Sequence, residues 1–133
     1  MRGKDSVAPV AAAEPILILI VDDEEPIIEM LATFVAGLGY TPLVAQNGQQ
    51  ALDLARERRP ALIITDLMMP IMNGADLILT LRAEAAAQGQ VSPPIVLLTA
   101  GSRRAASQLS VEAVLLKPFD LTQLEQVIHR LLV

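Results

Sequence analysis

Six consecutive residues, Ile16-Leu17-Ile18-Leu19-Ile20-Val21, are all aliphatic and mostly β-branched. A strand with one wet face alternates apolar and polar side chains; a strand covered on both faces by helices is apolar at every position, as parallel sheets require. The run therefore predicts a buried parallel strand. It is far shorter than the roughly 20 residues that a membrane-crossing helix needs.

Similar short runs recur. Leu62-Ile63-Ile64-Thr65, Ile95-Val96-Leu97-Leu98 and Val114-Leu115-Leu116 read as the third, fourth and fifth strands, and Tyr40 to Ala45 as a weaker second. Between them apolar residues take helical spacing. Pro26 opens a helix carrying Ile27, Met30, Leu31, Phe34 and Leu38, which Gly37 and Gly39 end. Asn47-Gly48 leads into a second with Ala51, Leu52, Leu54 and Ala55, and a third carries Ala75, Ile78, Leu79 and Leu81 and stops before Gly89. A short helix is expected near Arg103 to Leu109, and an amphipathic last one carries Leu121, Leu124, Val127, Ile128 and Leu131. Strands joined by helical crossovers must be mostly parallel, with helices on both faces. The fold expected is an open, doubly wound α/β sheet of five strands and five helices, without internal repeats.

The 133 residues suit a single domain. Residues 1–14, Ala-rich with Pro9, read as a flexible tail, which leaves 15–133 as the folded unit. That tail lacks the continuous apolar core of a signal peptide. With 53% hydrophobic and 19% charged residues the chain has ample apolar surface to bury. A net charge of -5 and only three aromatics, Phe34, Tyr40 and Phe119, argue against direct nucleic-acid binding, which needs a basic face or stacking platforms. The absence of cysteine removes disulfides, thiolate metal sites and thiol nucleophiles, and is compatible with a reducing cytosol. A soluble, cytoplasmic protein is expected.

The informative residues stand at the strand exits. Strand one runs into Asp22-Asp23, strand three into Asp66, strand four into Thr99 and strand five into Lys117-Pro118. In doubly wound sheets ligands bind at that carboxyl edge. Taken singly, Asp22 or Asp23 suits a helix cap, Asp66 a loop cap, Thr99 a turn and Lys117 a solvated charge. Those readings do not explain why all of them fall at carboxyl ends of strands, nor why Lys117 is the only lysine beyond Lys4. Carboxylates brought so close repel unless a cation joins them. Hard oxygen donors without His or Cys suit Mg²⁺, which commonly takes one or two carboxylates, waters and phosphate oxygens.

The set Asp22-Asp23, Asp66-Leu67-Met68-Met69-Pro70 with Asn73-Gly74, Thr99-Ala100 and Lys117-Pro118-Phe119 resembles the receiver domain of two-component response regulators. The likeness runs from Ile16 to the C-terminus in family order. It implies a flavodoxin-like (βα)5 three-layer sandwich with strand order 2-1-3-4-5. It implies that Asp66 is the phosphoacceptor, taking a phosphoryl group from a sensor histidine kinase or phosphotransfer protein to form an acyl phosphate. By the same likeness Asp23 and Asp66 ligate Mg²⁺ through carboxylates, Met68 through its backbone carbonyl and Asp22 through water. Lys117 then pairs with the phosphoryl group, Thr99 donates a hydroxyl to it, and the Lys117-Pro118 peptide is cis. The output implied is protein contact, with a downstream target or a fused output domain. A homodimer through the face of the fourth helix, fifth strand and fifth helix belongs to the same expectation.

Two positions depart from the family. The position three before the lysine, often an aromatic switch residue, is Val114, and the segment between Thr99 and Lys117 is short, with about two turns of helix at ~3.6 residues each. These departures motivate an alternative, a pseudo-receiver that keeps the fold as an interaction module. A metal-dependent phosphatase of similar architecture generally needs an aspartate two residues after its nucleophile, where this chain has Met68. His129 is expected at the surface or in packing, Arg56 to Arg59 as a solvated helix end, and Met68, Met69 and Met72 as adaptable packing around the site loop.

Overall fold

The structure, a computed structural model, describes residues 14–101 and 103–133. The tail expected over residues 1–14 lies outside them, apart from Glu14. The elements in chain order are β1 (Leu17–Val21), α1 (Glu25–Gly37), β2 (Thr41–Ala45), α2 (Gly48–Arg58), β3 (Leu62–Asp66), α3 (Gly74–Ala87), β4 (Ile95–Thr99), α4 (Arg103–Ala106), β5 (Ala113–Leu116) and α5 (Leu121–Leu132). Among the described residues all four strand pairings are parallel, and the sheet order is β2-β1-β3-β4-β5.

Each strand residue points to the face opposite its neighbour, and both faces are dry. From β1, Ile18 and Ile20 join α1 (Leu31, Val35) and α5 (Leu124, Ile128) on one side. Leu19 and Val21 join α2 (Ala51, Leu52) and α3 (Leu77, Ile78) on the other. Residues 18 to 21, 62 to 64 and 95 to 98 are at most 1% exposed, which is why those runs carry no polar side chain. Each fully buried Leu or Ile there contributes about 1.5–3 kcal/mol relative to exposure. Among the described strands β2 and β5 are the outer two, and their burial is correspondingly patchier.

Local chemistry sets the helix ends. Asn47 Oδ1 accepts the Gln50 N–H and Asn73 Oδ1 the Asp76 N–H, both at 2.9 Å. Asp120 and Gln123 form a reciprocal capping box at the start of α5. α2 ends where Pro60 excludes right-handed helical backbone for the preceding residue, and Arg59 takes a left-handed conformation with φ 50°.

The fourth helix is shorter than the expected span from Arg103 to Leu109. α4 is a single turn, closed by the Ser107 N–H on Arg103 O at 2.8 Å, and the Ser107 hydroxyl donates to Arg104 O at 2.7 Å. Leu109 then reaches the core through a turn, its N–H bonded to Ala106 O at 3.0 Å.

Candidate functional site

Parallel pairing alone brings the exits together. Val21 is level with Thr65, and Asp66 with Leu98, so Asp22, Asp66 and Thr99 all emerge at one edge. The Asp22 and Asp66 side chains are 0% and 10% exposed, and Asp23 is exposed at the rim. Carboxylate oxygens of Asp22, Asp23 and Asp66 all lie within 4.8 Å of one another.

Lys117 supplies the counter-charge. Its Nζ is 3.2 Å from Asp22 Oδ2 and 3.4 Å from Asp66 Oδ1, and its backbone N–H donates to Thr99 O at 2.8 Å. The following Lys117-Pro118 peptide is cis. Backbone donors also reach the carboxylates: Asp22 Oδ1 accepts the Glu24 N–H and Asp66 Oδ1 the Leu67 N–H, each at 2.9 Å. Burying two like charges is costly, and these contacts offset part of that cost.

The electrostatic balance is uneven. Burial pushes the Asp66 carboxyl above its ordinary pKa of 3.8, the Asp22 charge pushes the same way, and Lys117 and the Leu67 N–H only partly oppose them. Burial would lower the Lys117 ammonium, but Asp22 and Asp66 together outweigh it and hold the pKa above 10.5. The site is a carboxylate in want of more positive charge, beside a lysine that stays charged.

The oxygen-only donors fit a hard divalent cation such as Mg²⁺. The Met68 carbonyl is on the same loop and, among the described residues, accepts no hydrogen bond. Buried Thr99 (1% exposed) ends β4, its hydroxyl oxygen accepting the Gly101 N–H at 3.0 Å. Of the residues named from the sequence, the structure brings Asp22, Asp23, Asp66 and Lys117 together. Sequence reasoning missed Thr65, whose hydroxyl donates to Asp66 O at 2.9 Å and steadies the strand exit; the signal was a lone polar residue in an apolar strand. It also missed the close approach of Gly74 and Gly48 to the site loop, where an added Cβ would lie 2.3 Å from Asp66 O and 2.4 Å from Met72 O.

The secondary expectations divide. Met69 and Met72 pack against the core, but Met68 is 73% exposed, because the loop turns its side chain to solvent. His129 is exposed on α5. Arg56 is more than a solvated helix end, since it pairs with Glu84 and ties α2 to α3. Val114 is partly buried and packs against the α2–α3 face of the core. Among the described residues no helix is long and apolar enough to cross a membrane.

Comparison with known proteins agrees with this geometry. The response regulator receiver domain family matches residues 18–129. Response regulator Rre1 of Synechocystis is 38% identical over 125 residues, covering 90% of this chain and 53% of that protein. The chain spans about half the length of the curated relatives it matches. Among solved structures, the receiver domain in the co-crystal of the Saccharomyces cerevisiae phosphotransfer protein Ypd1 with its downstream response regulator Ssk1 aligns with a TM-score of 0.82 at 28% identity, covering 88% of each chain. The Thermotoga maritima response regulator TrrA, solved with Mg²⁺ and BeF, gives 0.77 at 29% identity and covers 88% of this chain and 99% of that one.

Proposed function

This chain belongs to the response regulator receiver family, and we propose that it is a working phosphoacceptor, modified on Asp66 by a histidine kinase or phosphotransfer protein. The observation that carries the reading is the Asp22–Lys117–Asp66 arrangement at the carboxyl edge, with Asp23 at its rim. An Asp66 carboxylate oxygen attacks phosphorus, an O–P bond forms, and the bond to the donor's leaving group breaks. Lys117 neutralises charge on the phosphoryl oxygens, and Thr99, at the end of β4, donates its hydroxyl to one of them. Asp23 and Asp66 would hold Mg²⁺ through carboxylates, Met68 through its carbonyl and Asp22 through water. When bound, the ion supplies further neutralising charge.

The protein acts on itself rather than on a separate substrate: phosphorylation and hydrolysis both occur at Asp66. The expected compartment is the cytoplasm. The signal leaves by protein contact, to a downstream target or a fused output domain, with the face of α4, β5 and α5 as a candidate dimer surface.

A second reading, a pseudo-receiver with altered or absent switching, draws on two observations. Val114 lacks a ring to rotate, and α4 is a single turn. Incubation with acetyl phosphate and Mg²⁺ separates the two. The first reading expects the mass of one phosphoryl group to be added to the intact protein, to depend on Mg²⁺ and to be absent in Asp66→Asn. No label under any such condition, together with no Mg²⁺ binding in a titration, would overturn it in favour of the second.

A further inference from the structure

The carboxyl edge uses one end of the sheet. At the other end the amino-terminal starts of β3 and β4, with the last turns of α2 and α3, enclose a cleft of about 530 Å³ that phosphoryl chemistry does not touch. Its floor is apolar, formed by Ala55, Pro60, Leu81, Ala85 and Pro94, and its rim is polar, with Arg56, Arg59 and Glu84. Size and lining fall in the range of small-molecule sites, which are mainly apolar with a few convergent polar groups.

The rim charges are not equivalent. Arg56 is taken up by Glu84 and lies 3.8 Å from Asp53. Arg59 has no carboxylate partner within ion-pair distance among the described residues. Its backbone alone does the capping, through a 3.1 Å bond from its N–H to Ala55 O, in a left-handed conformation that glycine adopts without steric cost. The arginine side chain adds nothing to that cap, and Arg59 is among the residues that line the cleft.

We propose that this cleft binds a small apolar monocarboxylate, its hydrocarbon body on the Ala55–Leu81–Pro94 floor and its carboxylate on the Arg59 guanidinium. A planar guanidinium matches a planar carboxylate through two parallel hydrogen bonds. A phosphate dianion fits less well, because its second negative charge meets Glu84 on the same rim.

The test is amide chemical-shift mapping of the full chain with 4-phenylbutyrate as probe and 4-phenylbutanol as its neutral counterpart. Arg59→Gly keeps the left-handed cap, so this variant stays folded. The expected result is saturable shifts at Ala55, Ala61 and Ala85, weakened roughly two- to fivefold in Arg59→Gly, the range of a partly exposed ion pair. The alcohol should bind more weakly and equally to both proteins. No saturable shift at these residues, equal affinity of the acid for both proteins, or shifts confined to the Asp22–Asp66 edge would overturn the proposal.

Discussion

Replacing Gly74 with alanine probes the backbone that carries the phosphoacceptor. The new Cβ would lie 2.3 Å from Asp66 O and 3.0 Å from Leu67 Cα, against ordinary contact beginning at 3.4 Å, so about 1 Å of movement is required. Neither atom yields easily. Leu67 N–H is bonded to Leu98 O at 3.1 Å, and Gly74 N–H to Leu67 O at 2.8 Å, which locks both sides of the contact. Forcing a methyl group into such a place costs about 1–3 kcal/mol. Exchange of glycine for alanine at a helical position returns at most about 1 kcal/mol. The net loss expected is about 1–2 kcal/mol, which in urea lowers the unfolding midpoint by roughly 0.5–1 M. Because the displaced carbonyl belongs to Asp66, labelling by acetyl phosphate should also slow; a 1 Å misplacement costs up to about 10²-fold. Gly37→Ala is the control: nothing lies within 4 Å of its Cβ, so its stability should stay within about 0.5 kcal/mol of the parent or rise. Gly74→Ala at parental stability with an unchanged labelling rate would refute the close packing of α3 against the Asp66 carbonyl.

Two further outcomes are expected. In metal-free protein the raised Asp66 pKa means that the folded state takes up its proton first, so the Asp66 contribution to stability grows as pH falls through the folded value and is complete below 3.8. The stability of the parent relative to Asp66→Asn should therefore rise on acidification, and a relative fall over that window in urea titrations would contradict the burial of this carboxyl. Arg82→Ala removes bonds to Ser110 O (2.7 Å), Ser92 Oγ (2.9 Å) and Glu112 (2.9 Å), and should cost about 1–3 kcal/mol by thermal unfolding while leaving Asp66 labelling intact. A loss of labelling with unchanged stability would instead place Arg82 in the path to the site.

The legible part of the fold was its centre. Ile18 to Val21, Leu62 to Ile64 and Ile95 to Leu98 declare themselves because burial on both faces permits no polar residue. Edge strands follow a looser rule, and β5 begins at Ala113, one residue before the apolar run that signals it. The site was legible for the same reason: polar residues that end apolar runs must surface together at one edge. What stayed hidden depends on distance along the chain or on backbone state. The Arg82–Glu112 pair spans 30 residues, and Glu112 in turn accepts the Ile95 N–H at 2.7 Å, so one ion pair fastens α3 to the entry of β4. No local pattern encodes that. Left-handed backbone at Arg59 and Ile71 was equally invisible, since neither residue type favours it. The expected helix near Arg103 to Leu109 is shorter because the chain leaves it after one turn, and Leu109 reaches the core through a turn.

Lys117 comes 95 residues after Asp22 and 51 after Asp66. On a ribosome adding about 5–20 residues per second, Asp66 precedes its neutralising lysine by roughly 3–10 s. During that interval a nascent chain holding β1 and β3 side by side would confine two carboxylates with no ammonium between them. Vectorial synthesis thus discourages early closure of the acidic edge, and free divalent cations in the surrounding fluid favour it. Translation arrested before residue 117 should give a nascent chain whose compaction responds to magnesium far more strongly than that of the finished protein.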